Sequence, residues 1–201
     1  AMALGTSEAT LLEMTGAYSG FLNGGSAVVP YGLKELRLKG DDEVLMGTGG
    51  GIRERVIQSQ AAGQLTWMME KVITEGTGRR AILPDGRPAA GKTGTSNDAR
   101  DAWFIGFTAD YVVGVWMGND DNSPLSGVTG GGLPADIWRE TMVRVTEGLP
   151  VKPLPAIAPE GPSPQIVEEQ QRQQQQQAPT QERRQRDTFI QQVLRDLLGG
   201  G

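Results

Sequence analysis

Gly91-Lys92-Thr93-Gly94-Thr95-Ser96 can be extended in two incompatible ways, and each implies a different fold. Counted from Gly86, the segment Gly86-Arg87-Pro88-Ala89-Ala90-Gly91-Lys92-Thr93 fits G-x-x-x-x-G-K-[ST], the loop that cradles phosphates in nucleotide hydrolases. Such a loop must open a helix, so that backbone N–H groups and the positive helix N-terminus face the phosphates. The chain instead continues as Gly94-Thr95-Ser96-Asn97-Asp98, and Ala102-Trp103-Phe104-Ile105-Gly106-Phe107-Thr108 then alternates and is rich in aromatic and β-branched residues. That pattern predicts a strand, so Lys92-Thr93-Gly94 is expected on a strand that runs into a turn.

The next apolar run, Tyr111-Val112-Val113-Gly114-Val115-Trp116-Met117-Gly118-Asn119-Asp120, ends in an acid that could hold magnesium in a nucleotide hydrolase. Only Ala109 and Asp110 separate it from the preceding run. Strands that close form an antiparallel hairpin, because a parallel crossover needs about a dozen residues or more. The nucleotide reading therefore stands behind the others.

Composition removes several chemistries. The 201 residues allow one domain of ordinary size and a tail, and a net charge of −5 leaves no footprint for nucleic acid. Histidine and cysteine are both absent. That excludes Ser-His-Asp and Cys-His catalysis, His- or thiolate-ligated metals, and disulfides, and no cofactor is indicated. No apolar run approaches the roughly 18 residues of a membrane span, and the N-terminus lacks the features of a signal peptide. Any membrane attachment is expected outside this chain.

Thr10 and Glu13 have capping-box spacing, and Leu11, Met14, Tyr18, Phe21 and Leu22 then share a helical face stopped by Asn23-Gly24-Gly25. Leu36 and Leu38 alternate with Arg37 and Lys39, Gly40-Asp41-Asp42 can turn, and Glu43 to Met46 can return as a second short strand. Gly47-Thr48-Gly49-Gly50-Gly51 reads as a flexible connection. Ser59 is a candidate N-cap for a helix that buries Leu65, Met68, Met69, Val72 and Ile73, with Trp67 as core filling and Gly76 as its end. Arg79 and Arg80 are expected in solvent at that helix end, with an anionic substrate as the alternative. Gly130-Gly131-Gly132 reads as a second flexible loop. Pro134 is expected at the first position of a helix carrying Ile137, Trp138, Thr141, Met142 and Val145, closed by Gly148.

The globular part is expected to end near Pro155, followed at 156–181 by a Pro- and Gln-rich linker too polar to fold. At 182–201, Phe189, Ile190, Val193, Leu194, Leu197 and Leu198 behind Arg183, Arg184 and Arg186 predict an amphipathic helical tail. It could dock on a partner protein, a membrane surface or its own domain.

These motifs together carry a resemblance. Leu4-Gly5-Thr6-Ser7-Glu8, Thr10-Leu11-Leu12-Glu13, Ala17-Tyr18, Asn23-Gly24-Gly25, Glu75-Gly76-Thr77-Gly78 and Ala90-Gly91-Lys92-Thr93-Gly94-Thr95 occur in this order. Asp101 to Thr108, Val115 to Asp120 and Ile137-Trp138 continue it. Residues 1–155 so resemble the C-terminal part of the transpeptidase domain of a class A, bifunctional penicillin-binding protein. The resemblance implies an α+β fold like that of serine β-lactamases and D,D-transpeptidases. Its mainly antiparallel sheet is flanked by helices and expected to be incomplete on the N-terminal side.

The resemblance further implies acyl transfer. A serine attacks the D-Ala-D-Ala bond of a peptidoglycan stem peptide, the acyl-enzyme passes to an amine of a neighbouring strand, and β-lactams acylate the same serine. Lys92 would place a positive charge and a movable proton beside the nucleophile, with partial desolvation easing proton release. The Thr93 and Thr95 hydroxyls would bind the substrate's terminal carboxylate. Gly94 would let substrate backbone lie on the strand, and the Thr95 N–H would be the second oxyanion donor.

Ser-x-x-Lys and Ser-x-Asn, the family's other two signatures, do not occur. Ser7, Ser19, Ser26, Ser59, Ser96, Ser123, Ser126 and Ser163 all lack a lysine three residues on. Both signatures, a glycosyltransferase domain and a membrane anchor are expected upstream of Ala1, with the site on the extracytoplasmic side of the membrane. This chain alone is therefore expected to be inactive. A non-catalytic ligand- or partner-binding module is the alternative, and a nucleotide hydrolase the third reading.

Overall fold

The computed structural model describes residues 8–47 and 49–161. The opening residues, the Gln-rich run and the proposed tail helix lie outside the described residues. Among the described residues, three helices and three small antiparallel sheets make up an α+β fold.

Helix α1 (Leu11–Leu22) starts where the capping box predicts. Thr10 Oγ1 accepts the Glu13 N–H at 3.2 Å, and the Glu13 carboxylate accepts the Thr10 N–H at 2.8 Å. Tyr18, Phe21 and Leu22 pack into the core, but the most buried positions of α1 are Gly16 and Gly20. A Cβ at either would stand 3.2 Å from the chain at Pro30 or Ser26, so these glycines let strand β1 (Ser26–Val29) cross the helix closely. Leu11 is at the border of exposure and Leu12 is 64% exposed.

Strands β2 (Glu35–Arg37) and β3 (Val44–Gly47) pair as the Gly40-Asp41-Asp42 turn predicts, and every residue of both is exposed. The glycine run after them corrects the reading of a flexible connection. Gly51 opens strand β4 (Gly51–Arg55), which pairs antiparallel with β1. Gly50 lies so near β1 that a Cβ would stand 2.4 Å from the Val29 carbonyl. Farther along, Gly25, with φ +100°, accepts the N–H groups of Val56 and Ile57.

Helix α2 (Ser59–Thr74) is capped at Gln58, without a side-chain cap bond. Ser59 is therefore its first residue and not its N-cap, and its hydroxyl accepts from the Arg55 guanidinium. The buried stripe is Ala62, Gly63, Thr66, Met69 and Ile73, rotated towards smaller residues than expected. Met68 is 49% exposed. Trp67 is only half-buried, with the Lys71 ammonium 5.4 Å from its ring, so it is not core filling. The small side wins because the chain beyond the last helix lies on it. The Gly63 carbonyl accepts the Ile157 N–H at 2.9 Å, and a Cβ at Gly63 would meet Ile157 at 2.6 Å.

Strands β5 (Ala90–Thr95), β6 (Asp101–Phe107) and β7 (Val112–Gly118) form an antiparallel meander with β6 in the middle. Both faces of β6 are covered, so its alternation is apolar on each side. Phe104 packs with Ile73, Ala135, Trp138 and Met142, whereas Phe107 packs with Met69 and Ala90 and is surrounded by Tyr18, Phe21 and Leu65. Helix α3 (Leu133–Val145) thus covers one face, joined there by Ile73 near the end of α2, while α1 and Met69 of α2 cover the other. Its buried stripe is Pro134, Ala135, Trp138 and Met142, and Pro134 is its second residue. Ile137 and Val145 are exposed, against expectation, because the stripe follows Trp138 onto the sheet.

Arg87 closes this end of the fold. Its buried guanidinium donates to the carbonyls of Thr146, Leu149 and Pro150 just past α3, at 2.9–3.4 Å, and to Asp85 at 3.1 Å. The compact unit that begins the chain extends to Ala158.

Candidate active site

Strand β5 is an edge strand among the described residues, and it carries Lys92, Thr93, Gly94 and Thr95 in that order. Its first residues, Ala90 and Gly91, are buried, and its far end rises to the surface. The register sets Lys92 opposite Ile105, Thr93 opposite Phe104 and Gly94 opposite Trp103, so the strand is anchored beside the buried Phe104 of the core. One sequence-local element therefore brings all four predicted residues together.

Each polar side chain from Lys92 to Thr95 has a partner. The Lys92 ammonium is exposed and donates to the Thr93 carbonyl at 2.7 Å, so the desolvation expected for it is not supplied by the described residues. Thr93 Oγ1 lies 2.7 Å from Thr77 Oγ1. Thr95 Oγ1 accepts the Gly130 N–H at 3.1 Å.

The Gly130-Gly131-Gly132 segment is thus a seat for β5 and not the flexible loop expected of it. A Cβ at Gly130 would stand 2.4 Å from the Gly94 carbonyl and 2.3 Å from that of Trp103, while one at Gly131 would stand 2.3 Å from the Thr77 carbonyl. Only glycine permits backbone to lie so close to backbone. Thr77 and Gly130 join the site from 16 and 35 residues away, and no local pattern marks that role.

Beyond Thr95 the chain turns sharply. The Ser96 N–H donates to the Asp101 carbonyl at 3.0 Å, the Asp101 N–H donates to Ser96 Oγ at 2.8 Å, and the Asp101 carboxylate accepts the Trp116 indole N–H at 2.9 Å. The following element is the three-residue 3-10 turn Asn97–Ala99, not a helix, so a phosphate loop at Lys92 lacks its helix N-terminus. Gly86 instead closes a turn, its N–H donating to the Leu83 carbonyl at 3.2 Å. Arg80 is exposed, as expected, and its guanidinium is bound to Asp136 at the start of α3. A depression of about 230 Å³ beside Arg87, lined in part by Leu83, Val143 and Leu149, takes none of its lining from the Lys92–Thr95 strand.

Residues 1–153 match the family "Penicillin binding protein transpeptidase domain". Penicillin-binding protein 1A of Aquifex aeolicus is 37% identical over 150 residues, with 74% of this chain and 20% of that protein covered. Penicillin-binding protein 1A of Pseudomonas aeruginosa is 32% identical over 187 residues, covering 68% of this chain and 23% of the relative. The chain therefore spans only about a fifth of the length of these curated relatives. The crystal structure of penicillin-binding protein 1A from Haemophilus influenzae superimposes with a TM-score of 0.67 at 26% identity, covering 79% of this chain and 29% of that one. The imipenem acyl-enzyme complex of penicillin-binding protein A from M. tuberculosis matches with a TM-score of 0.52 at 26% identity, covering 64% and 29%.

Proposed function

The chain belongs to the penicillin-binding protein transpeptidase domain family, and from that premise we propose that it supplies the Lys-Thr-Gly wall of a peptidoglycan D,D-transpeptidase site. The observation that carries the reading is the edge strand β5, which presents Lys92, Thr93, Gly94 and Thr95 with both hydroxyls held from behind.

In this reading a serine outside the chain attacks the penultimate D-Ala carbonyl of a stem peptide. The new Ser Oγ–acyl bond forms as the peptide C–N bond breaks, and D-Ala leaves with a proton on its nitrogen. An amine of a neighbouring stem peptide then takes the acyl group. Lys92 holds positive charge beside the nucleophile and exchanges its proton. Thr93 and Thr95 bind the terminal carboxylate, and Gly94 leaves room for substrate backbone. The Thr95 N–H serves as one oxyanion donor, a contribution of about 2.7–4 kcal/mol to transition-state stabilisation. β-Lactams acylate the same serine.

The reaction takes place on the extracytoplasmic side of the membrane. No helix among the described residues is long and apolar enough to cross it; in this reading the anchor lies in another segment. The division at 156–181 into a linker and at 182–201 into a tail that takes a protein partner or a membrane surface completes the reading.

The test is the intact mass of the natural gene product after exposure to penicillin in its own host. A product of several hundred residues with one penicilloyl group supports the transpeptidase, and the isolated chain then forms no adduct. A product near the present length without an adduct supports the binding module. Magnesium-dependent nucleotide binding abolished by Lys92→Ala would restore the phosphate-loop reading.

A further inference from the structure

Thr77 lies three residues past the end of α2, exposed, between neighbours that are themselves tied down. The adjoining Gly78 N–H donates to the Val72 carbonyl at 2.8 Å, Arg80 is tied to Asp136, and Gly131 lies against the Thr77 carbonyl. Its hydroxyl oxygen stands 2.7 Å from that of Thr93. Two hydroxyls in contact leave open which one donates. A carboxylate resolves this, because it only accepts. If Thr93 donates to a bound carboxylate, the proton between the two threonines must come from Thr77.

We infer that Thr77 is a positioning residue that donates to Thr93 Oγ1 and so directs the Thr93 proton at an anionic ligand group. The inference rests on the proposed carboxylate-binding role of Thr93. The Gly130 N–H does the same for Thr95 from the other side, since an amide can only donate and the Thr95 proton is left for the ligand. Two donor relays then run in parallel, Thr77 to Thr93 and Gly130 to Thr95, both ending on one carboxylate. Donation into each hydroxyl oxygen polarises its O–H and strengthens the outward bond.

The experiment uses the full-length natural protein and measures the second-order acylation rate with a penicillin and with its methyl ester, which lacks the carboxylate charge. Thr77→Val keeps the shape and removes the donor. It is expected to lower the rate for the acid about three- to tenfold, the scale of one hydrogen bond between neutral groups, and the rate for the ester less than about twofold. Thr77→Ser restores the donor and is expected to keep the wild-type acid-to-ester ratio. A Thr77→Val protein that slows both compounds equally, or neither, overturns the inference. So does a Thr77→Ser protein with the altered ratio, a result that stands even if the valine variant does not fold. Absence of acylation in the wild-type protein is a different outcome, which removes the transpeptidase reading beneath the inference.

Discussion

Trp138 donates its indole N–H to the Gly106 carbonyl at 3.1 Å while fully buried, and its ring stands 5.3 Å from that of Phe104. This contact seats α3 on β6, and a Cβ at Gly106 would stand 3.0 Å from the indole. Trp138→Ala is expected to cost about 3–5 kcal/mol in chemical denaturation, and Trp138→Phe less, since it keeps most of the volume. Equal losses for the two variants would show that packing volume is not what the tryptophan contributes.

The Arg87 guanidinium lies 3.8 Å from Asp110, whose Oδ2 is buried and has no hydrogen-bond partner among the described residues. Removing Arg87 frees three carbonyls and leaves that carboxylate with Lys152 alone. Arg87→Met is expected to lose about 3 kcal/mol, and adding Asp110→Asn is expected to recover part of it. An additive double variant would show that the two side chains are not coupled.

The acid limb of stability should carry the mark of Asp85 and Glu13. The Arg87 amide and guanidinium hold the Asp85 carboxyl below its usual range, and the Thr10 amide and hydroxyl do so for Glu13. With folded-state values depressed, the unfolded chain binds more protons as pH falls. The stabilising contribution is therefore full above the ordinary carboxylate range and is lost as pH drops through it towards the folded-state values. Asp85→Asn is expected to flatten this decline in urea melts taken from neutral pH downwards. An unchanged slope would remove Asp85 from the account.

Gly130→Ala places a methyl group against the backbone of Gly94 and Trp103. The seat must move off β5, and Thr95 loses the N–H it accepts. Acylation of the full-length protein by penicillin is expected to fall by about tenfold or more, with melting temperature changed less than for Trp138→Ala. Acylation at the wild-type rate would mean that Thr95 needs no support from this segment.

Much of the fold is legible because its signals are local. The capping box needs only Thr10 and Glu13, and the meander needs only apolar runs with short breaks at Ser96–Arg100 and Thr108–Tyr111. What escapes sequence reasoning depends on contact between distant segments. Gly50 and Gly130 look like flexible linkers until β1 or β5 is placed against them, and the buried stripe of α2 is decided by Ile157, far along the chain. In the site, Lys92 to Thr95 is legible as a motif. Thr77 appears only inside the motif Glu75-Gly76-Thr77-Gly78, which says nothing of the hydroxyl that it meets.

The β2–β3 hairpin has Leu36, Val44, Leu45 and Met46 in solvent and joins neither core cluster. Its opening is therefore uncoupled from the melting of β6. In hydrogen exchange its amides should be replaced through local fluctuation, whereas those of Phe104 and Ile105 should wait for global unfolding. The chain thus contains two clocks, one of which runs without reporting on the stability of the site.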